Sequence, residues 1–222
     1  MDNQYFIYDK DSFFGRGMKT LILDYLVKEE LSCCCYNDFG TLMSSINSPE
    51  YNGKKRSLLF DINSLPADRF AAISQIRQIS MCGDLRVVVL LRPSNIPLFF
   101  ALYSLIPAAS WLLKTESLCY VTPFLHELST HTEKRNAFSH SLVSYTRSCW
   151  LSGDVHKIIS SYDWWLMEEI FKGKSLTKIA YEVKSDVQRL SYHKRRLMKK
   201  LNARNNADLV QIFSGLVASV PH

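Results

Sequence analysis

The sequence has no cysteine pair spaced C-x-x-C, although it contains six cysteines, three of them adjacent at Cys33, Cys34 and Cys35. That pattern suits neither a disulfide scaffold nor a zinc site, so a reducing, cytoplasmic setting is expected. A secretory leader is not expected, because residues 1–10 alternate acids with aromatics and supply neither a basic start nor an apolar stretch. Catalytic signatures are missing as well: there is no glycine-rich phosphate loop, no G-x-S-x-G and no H-E-x-x-H. The histidines, at 126, 131, 140, 156, 193 and 222, show no ligand spacing. His126 and His131, near Glu127 and Glu133, come closest to a metal cluster, and the reading is of a protein with no metal, no cofactor and no enzymatic activity. One uncharged stretch, residues 96–113, approaches membrane-spanning length but is interrupted by Pro97, Ser104, Pro107 and Ser110. A buried helix followed by a buried strand accounts for it, so no membrane partner is expected.

What is present is an ordinary globular composition, 47% hydrophobic and 22% charged over 222 residues, enough for one or two domains at about 150 residues each. Residues 5–8 read as a strand, followed by Phe14, Met18, Leu21, Ile22, Tyr25 and Leu26 at helical spacings. A second strand is expected at 31–36, a short helix at 39–46, a polar loop at 47–56 and a third strand ending at Asp61. Pro66 is expected to open a helix with Phe70, Ile73, Ile76 and Ile79 on its apolar face. Residues 86–91 are the clearest strand, and their unbroken Val-Val-Val-Leu-Leu run implies burial on both faces. Ser94 or Asn95 can cap the next helix, which holds Pro97 in its first turn and ends near Pro107. A fifth strand at 109–113 and a helix at 118–128 follow. This alternation predicts an α/β amino-terminal domain over residues 1–130, a doubly wound parallel sheet of about five strands. Residues 131–154 read as a linker with some helix, and residues 155–222 as an all-α domain.

Charge is unevenly placed: residues 151–222 carry 12 Lys and Arg against 7 acids, whereas residues 1–150 carry 15 against 14. Residues 187–200 alone hold six cations and no acid, the footprint of a phosphate-binding surface; a solvated helix face or attachment to anionic lipid would use the same charges. Ser160 and Asp163 are placed as a capping box, Gly173 suits a left-handed helix end, and Ser175 can cap the following helix. Lys184, Ser185 and Asp186 alone separate that helix from the cationic one. Two short helices joined by a tight turn, the second basic, is the geometry that seats a helix in a major groove. Leu190, Leu197 and Leu201 give the second helix an inner face and leave Ser191, Tyr192, Arg195 and Lys199 elsewhere on the wheel. Trp164 and Trp165 are assigned to the core.

These residues resemble the LuxR/FixJ-type helix-turn-helix regulators. The resemblance covers about 55 residues and runs through Gly173, Ser175, Ile179, Ala180, Val183, Asp186, Leu190, His193, Lys200 and Leu201, with Arg204-Asn205 and Leu209-Val210 fitting the last helix. The sequence departs from the family pattern at Tyr162-Asp163, where Arg-Glu is usual, at Ser185, where an apolar residue is usual, and at Arg189, where Thr is usual. The resemblance implies a four-helix domain whose recognition helix, residues 187–200, enters double-stranded DNA. It further implies base reading by Ser191, Tyr192 and Arg195, and backbone contacts from Lys178, Arg189, His193, Lys194, Arg196, Lys199 and Lys200. Arg195 can take guanine in bidentate fashion and Tyr192 can pack on a thymine methyl; Arg195 as another phosphate contact, and His193 as a packing or capping residue, are the plainer alternatives.

The five β/α units ahead of this motif resemble the receiver domain of response regulators. Asp61, ending the third strand, and Lys114, ending the fifth, stand where a receiver has its phosphoacceptor and its lysine. The first strand is followed by Asp9-Lys10, not two acids, and the fourth ends Leu91-Arg92-Pro93 without a hydroxyl. Asp9, Asp61 and Lys114 are therefore read as a vestigial phosphoacceptor pocket, with Asp61 paired to Lys10 or Lys114, and the domain as a degenerate receiver not normally switched by phosphorylation. The combination is similar to the Rcs-type auxiliary regulators of enteric bacteria, which implies action as a homodimer or as a heterodimer with another LuxR-type regulator. The rival reading is a regulator-interaction module with only non-specific affinity for DNA. The cysteine triplet is assigned to small apolar packing along a strand, with a redox sensor as the alternative.

Overall fold

The computed structural model describes residues 3–26, 31–51, 54–82, 85–130, 136–152 and 158–217. The chain begins β1 (Asn3–Tyr8), α1 (Ser12–Tyr25), β2 (Leu31–Tyr36), α2 (Phe39–Ile46), β3 (Lys55–Asp61), α3 (Arg69–Cys82), β4 (Leu85–Leu91), α4 (Phe99–Leu105) and β5 (Ser110–Leu113). It continues as α5 (Leu118–Thr130), α6 (His140–Leu151), α7 (Ser161–Phe171), α8 (Leu176–Glu182), α9 (Val187–Lys200) and α10 (Asn206–Val217). Contacts group these into two units, Met1–Pro93 with Ile106–Thr146, and Ser94–Leu105 with Arg147–His222.

The first unit is the expected parallel sheet, with strand order β2-β1-β3-β4-β5 and every neighbour parallel. Tyr5, Ile7, Leu59, Val88 and Leu90 share one buried cluster with Met18 and Ile22 of α1 and Phe124 and Leu125 of α5. Phe6, Leu58, Phe60 and Val89, also fully buried, alternate with them along the strands, and α2 packs on β1 and α3 on β4. Burial on both faces explains the unbroken apolar run of β4. At about 1.5–3 kcal/mol for each fully buried large aliphatic or aromatic side chain, this core dominates the stability of the unit.

Two predicted helix starts are displaced. A 3₁₀ turn, Ile62–Ser64, follows β3, and α3 starts at Arg69, not at Pro66, because Asp68 Oδ1 accepts from Ala71 N at 3.2 Å and caps the first turn. Pro97 lies within a 3₁₀ stretch, Pro93–Leu98, and the α-helical hydrogen-bond pattern begins only at Phe99. Pro93 and Pro97 both lack the N–H that a regular ladder would use.

Part of the expected linker is a member of the sheet. Phe138 bridges Trp111 in parallel. Trp111 N donates to Ala137 O and Ser139 N to Trp111 O, both at 2.8 Å, while Ala137 N donates to Ser110 Oγ at 3.0 Å. The Glu116 carboxylate then accepts from Ser141 N at 2.9 Å and Ser141 Oγ at 2.7 Å in the first turn of α6. Burial alone would raise the Glu116 carboxyl, but these hydrogen bonds outweigh it and hold the group below its ordinary value. The boundary expected between residues 154 and 155 lies outside the described residues.

The second unit is helical. Its first segment, expected to belong with the amino-terminal β/α alternation, groups by contact with the carboxyl-terminal helices: α4 packs on α7, and Ile159 N donates to Pro97 O at 3.3 Å. The capping box at the start of α7 forms, with Asp163 N donating to Ser160 Oγ at 3.1 Å and Ser160 N to Asp163 Oδ2 at 3.3 Å. Leu166, Ile179, Ala180 and Leu190 join α7, α8 and α9 in one core. Trp165, half-buried, packs against that core, and Trp164 is fully buried.

Candidate nucleic-acid interface

Positioning of α9 begins with the turn before it. Lys184 adopts φ +51°, and Ser185 N donates back to Ala180 O at 2.9 Å, which ends α8 and reverses the chain within three residues. Asp186 then caps α9, its side chain accepting from Gln188 N at 2.9 Å. The same left-handed stop occurs at Gly173, φ +78°, after α7 and at Asn202, φ +55°, after α9. Both ends of the cationic helix are therefore fixed by local sequence.

Leu190 and Leu197 turn the inner side of α9 into the core, both fully buried. Its outer side exposes Arg189, Tyr192, Arg195, Arg196 and Lys199, and Tyr192 keeps 60% of its surface accessible. Ser191, Lys194 and His193 are half-buried, and Lys178 is exposed on α8. His193 lies edge-on to Tyr162 with ring centroids 4.8 Å apart, so its ring is a packing element between α7 and α9. Lys200 is half-buried, its Nζ 3.0 Å from Asp163 Oδ2. Burial alone would raise the Asp163 carboxyl; hydrogen bonds from Lys200 and Ser160 outweigh it and hold the group below the usual carboxylate range. Asp163 thus serves as both cap of α7 and anchor of the far end of α9.

The acidic pocket of the sheet unit is assembled from the residues predicted for it, with Asp61 paired to Lys114 as one of the two expected alternatives and Asp9 closer still. Lys114 Nζ sits 2.7 Å from Asp9 Oδ2 and 3.7 Å from Asp61 Oδ2, and all three side chains are buried. Lys10 is not the partner: its side chain is exposed, and only its backbone N enters, donating to Ser64 Oγ at 2.9 Å. Ser64 Oγ donates to Asp61 Oδ2 at 2.9 Å, and Tyr8 OH to Ser64 O at 2.6 Å. Asp11, the acid that follows Lys10, is committed to capping α1, where it accepts from Phe13 N and Phe14 N. Burial, and then the charge of Asp61, raise the Asp9 carboxyl, with Lys114 pulling the other way. Burial likewise pushes the Tyr8 hydroxyl up to about 12, with Asp38, Asp61 and Asp9 adding to it. A hard divalent cation needs several free oxygen ligands; here an ammonium and a hydroxyl already satisfy the two buried carboxylates, so the residues do not fit one.

The model of the bacterial regulatory proteins of the luxR family matches residues 157–213. Those residues form a LuxR-type helix-turn-helix domain. No curated protein sequence matches the chain. Among solved structures, RcsB from Salmonella enterica serovar Typhimurium, bound to promoter rprA in the presence of the phosphomimetic BeF3⁻, is similar at TM-score 0.63 and 18% identity, covering 96% of this chain and 99% of that one. A two-component response regulator RcsB–DNA complex is similar at TM-score 0.55 and 20% identity, covering 97% and 100%. A Salmonella typhimurium RcsB structure described for conformational dynamism in DNA interaction matches at TM-score 0.57 and 17% identity, covering 98% and 100%. At these identities the likeness is one of fold, a receiver-like sheet followed by a LuxR-type domain.

Within the LuxR-type domain, the sequence located the turn, the caps and the exposed cations. It did not foresee the Asp163–Lys200 pair, whose members are 37 residues apart, nor Ser64 and Tyr8 in the acidic pocket. An acid at the third position of a capping box and a cation in the last turn of the basic helix were the available signals for the first. His131 and Glu133 lie outside the described residues; among the described residues no group of three or more His, Cys, Asp or Glu is placed to hold a metal, and no helix is long and apolar enough to cross a membrane. Cys33 is buried, Cys34 half-buried and Cys35 exposed on the edge strand β2.

Proposed function

We propose that the protein is a sequence-specific regulator of transcription that inserts α9 into the major groove of double-stranded DNA. The observation that carries this reading is the outer face of α9, where Tyr192 and Arg195 stand exposed among Arg189, Arg196 and Lys199 on a helix whose opposite face is sealed in the LuxR-type core. Tyr192 and Arg195, with Ser191 at the margin, read base edges; Arg189, Lys194, Arg196, Lys199 and Lys178 hold phosphates. Lys200 and His193 support this face from behind, Lys200 reaching a phosphate only by leaving Asp163. The solved structures of RcsB bound to DNA lend weight to the same mode.

One recognition helix reads only about four or five base pairs, too few to address a genome, so the protein acts on paired half-sites as a homodimer or with a second LuxR-type regulator. It works in the cytoplasm without a catalytic step of its own and independently of phosphorylation at Asp61, since Lys114 and Ser64 already engage that carboxylate and Asp9. The test is affinity for a duplex selected from a random pool and for its scrambled counterpart, measured across a salt series. A site-reading protein shows a ratio of roughly 10³ or more. A steep salt dependence with almost no ratio would instead fit a module that works by binding another regulator.

A further inference from the structure

The outer face of α9 has a further member in its first turn. Gln188 is exposed, and with about 3.6 residues per turn it falls on one line with Tyr192, Arg195 and Lys199, at successive spacings of four, three and four. That line lies opposite Leu190 and Leu197, both fully buried, and so is the part of the helix farthest from the core. Ser191 falls to its side and is half-buried. The backbone of Gln188 is fixed, because its N–H is held by the Asp186 cap at 2.9 Å. Arg189 and Arg196 form the neighbouring exposed line, so phosphates on that flank are already met by full charges, against which a neutral amide contributes little.

We propose that Gln188 reads a base directly and selects adenine. Its primary amide offers one acceptor and one donor side by side, the complement of adenine N6 and N7, and residues in the first turn of a recognition helix come nearest to base edges. The assignment rests on the groove docking proposed above. Gln188 and Arg195 are seven residues apart, about 10 Å along the axis at about 1.5 Å per residue, or about three base-pair steps of about 3.4 Å. Each half-site therefore carries an adenine about three base pairs from the guanine taken by Arg195.

The experiment selects duplexes with a randomised core from a pool, using the full chain with the wild-type sequence, Gln188→Ala and Gln188→Arg. The wild type enriches a motif containing that adenine. In Gln188→Ala the adenine preference falls about tenfold or more while the guanine remains, and Gln188→Arg turns the same position to guanine. Both variants keep the wild-type unfolding temperature, as expected for an exposed position. An unchanged motif in both, or uniform weakening at every position, overturns the assignment. If the wild-type protein enriches no motif, groove docking fails and the assignment falls with it, a result visible in the wild-type pool alone.

Discussion

Lys184 holds a left-handed backbone conformation that costs a residue bearing a Cβ about 1–2 kcal/mol. The turn into α9 requires it, since Ser185 N must reach Ala180 O. Replacing Lys184 by Gly relieves part of that cost and raises stability by roughly 0.5–1 kcal/mol, seen as a higher denaturation midpoint at unchanged slope. Two further substitutions separate the kinds of DNA contact. Arg195→Ala relaxes base preference at one position of each half-site, with a cost of about 1–3 kcal/mol on the preferred sequence. Lys199→Ala weakens every sequence alike and lowers the salt slope by about 1. Competition binding against single-base variants distinguishes the two, and uniform loss in both would remove Arg195 from the reading face. At this scale the sequence was legible wherever a residue acts through its neighbours along the helix. It did not reveal the acid paired with Lys200, because charge density in a linear stretch cannot register a carboxylate 37 residues away. For His193 the sequence left packing and phosphate contact both open; that its neighbour is Tyr162 depends on how α7 crosses α9, which no local pattern encodes.

The mounting of α9 depends on α7 through one carboxylate. Asp163 caps α7 and takes the Lys200 ammonium, so Asp163→Ala removes a capping interaction and leaves a half-buried cation alone, a loss of roughly 1–3 kcal/mol at neutral pH. The depressed pKa of Asp163 fixes the pH dependence. Its contribution is complete above the unfolded carboxylate value of about 3.9 and disappears as pH falls through the lower folded value. The gap in stability between wild type and Asp163→Ala is therefore full at pH 7 and closes in acid; a gap constant from pH 7 to pH 2 would argue against the ion pair. Among elements, the five strands and most helices were legible because their periodicity, caps and left-handed stops are local. The starts of α3 and α4 were not: Pro66 stands ahead of the Asp68 cap that opens α3, and proline tolerates both the first turn of a helix and the 3₁₀ stretch that holds Pro97 at residues 93–98. The pairing of residues 136–139 with β5 was invisible for another reason: a single bridge imposes no alternation on the sequence.

Across the whole molecule, the receiver-like unit and the LuxR-type domain were recognisable because each repeats a pattern over many residues. The state of the acidic pocket was only partly so: Asp9, Asp61 and Lys114 were found, whereas the direct pairing of Lys114 with Asp9, its nearer partner, was not, and the Lys10 side chain is exposed. Incubation with a small phosphodonor and Mg²⁺ is expected to leave Asp61 unmodified by intact-mass measurement, and DNA affinity unchanged. Stable acyl-phosphate accompanied by tighter binding would reverse that view. Footprinting on a selected operator should reveal two protected half-sites with centres about 34–36 Å apart, one helical turn. The stretch lying along β5 also decides where the polypeptide can be divided. A fragment stopping at residue 130 leaves the amide and carbonyl of Trp111, now bonded to Ala137 O and Ser139 N respectively, bare on an apolar rim that invites side-by-side stacking of copies. A fragment running through residue 146 keeps that rim sealed, and light scattering on the two lengths should show particles growing only in the shorter.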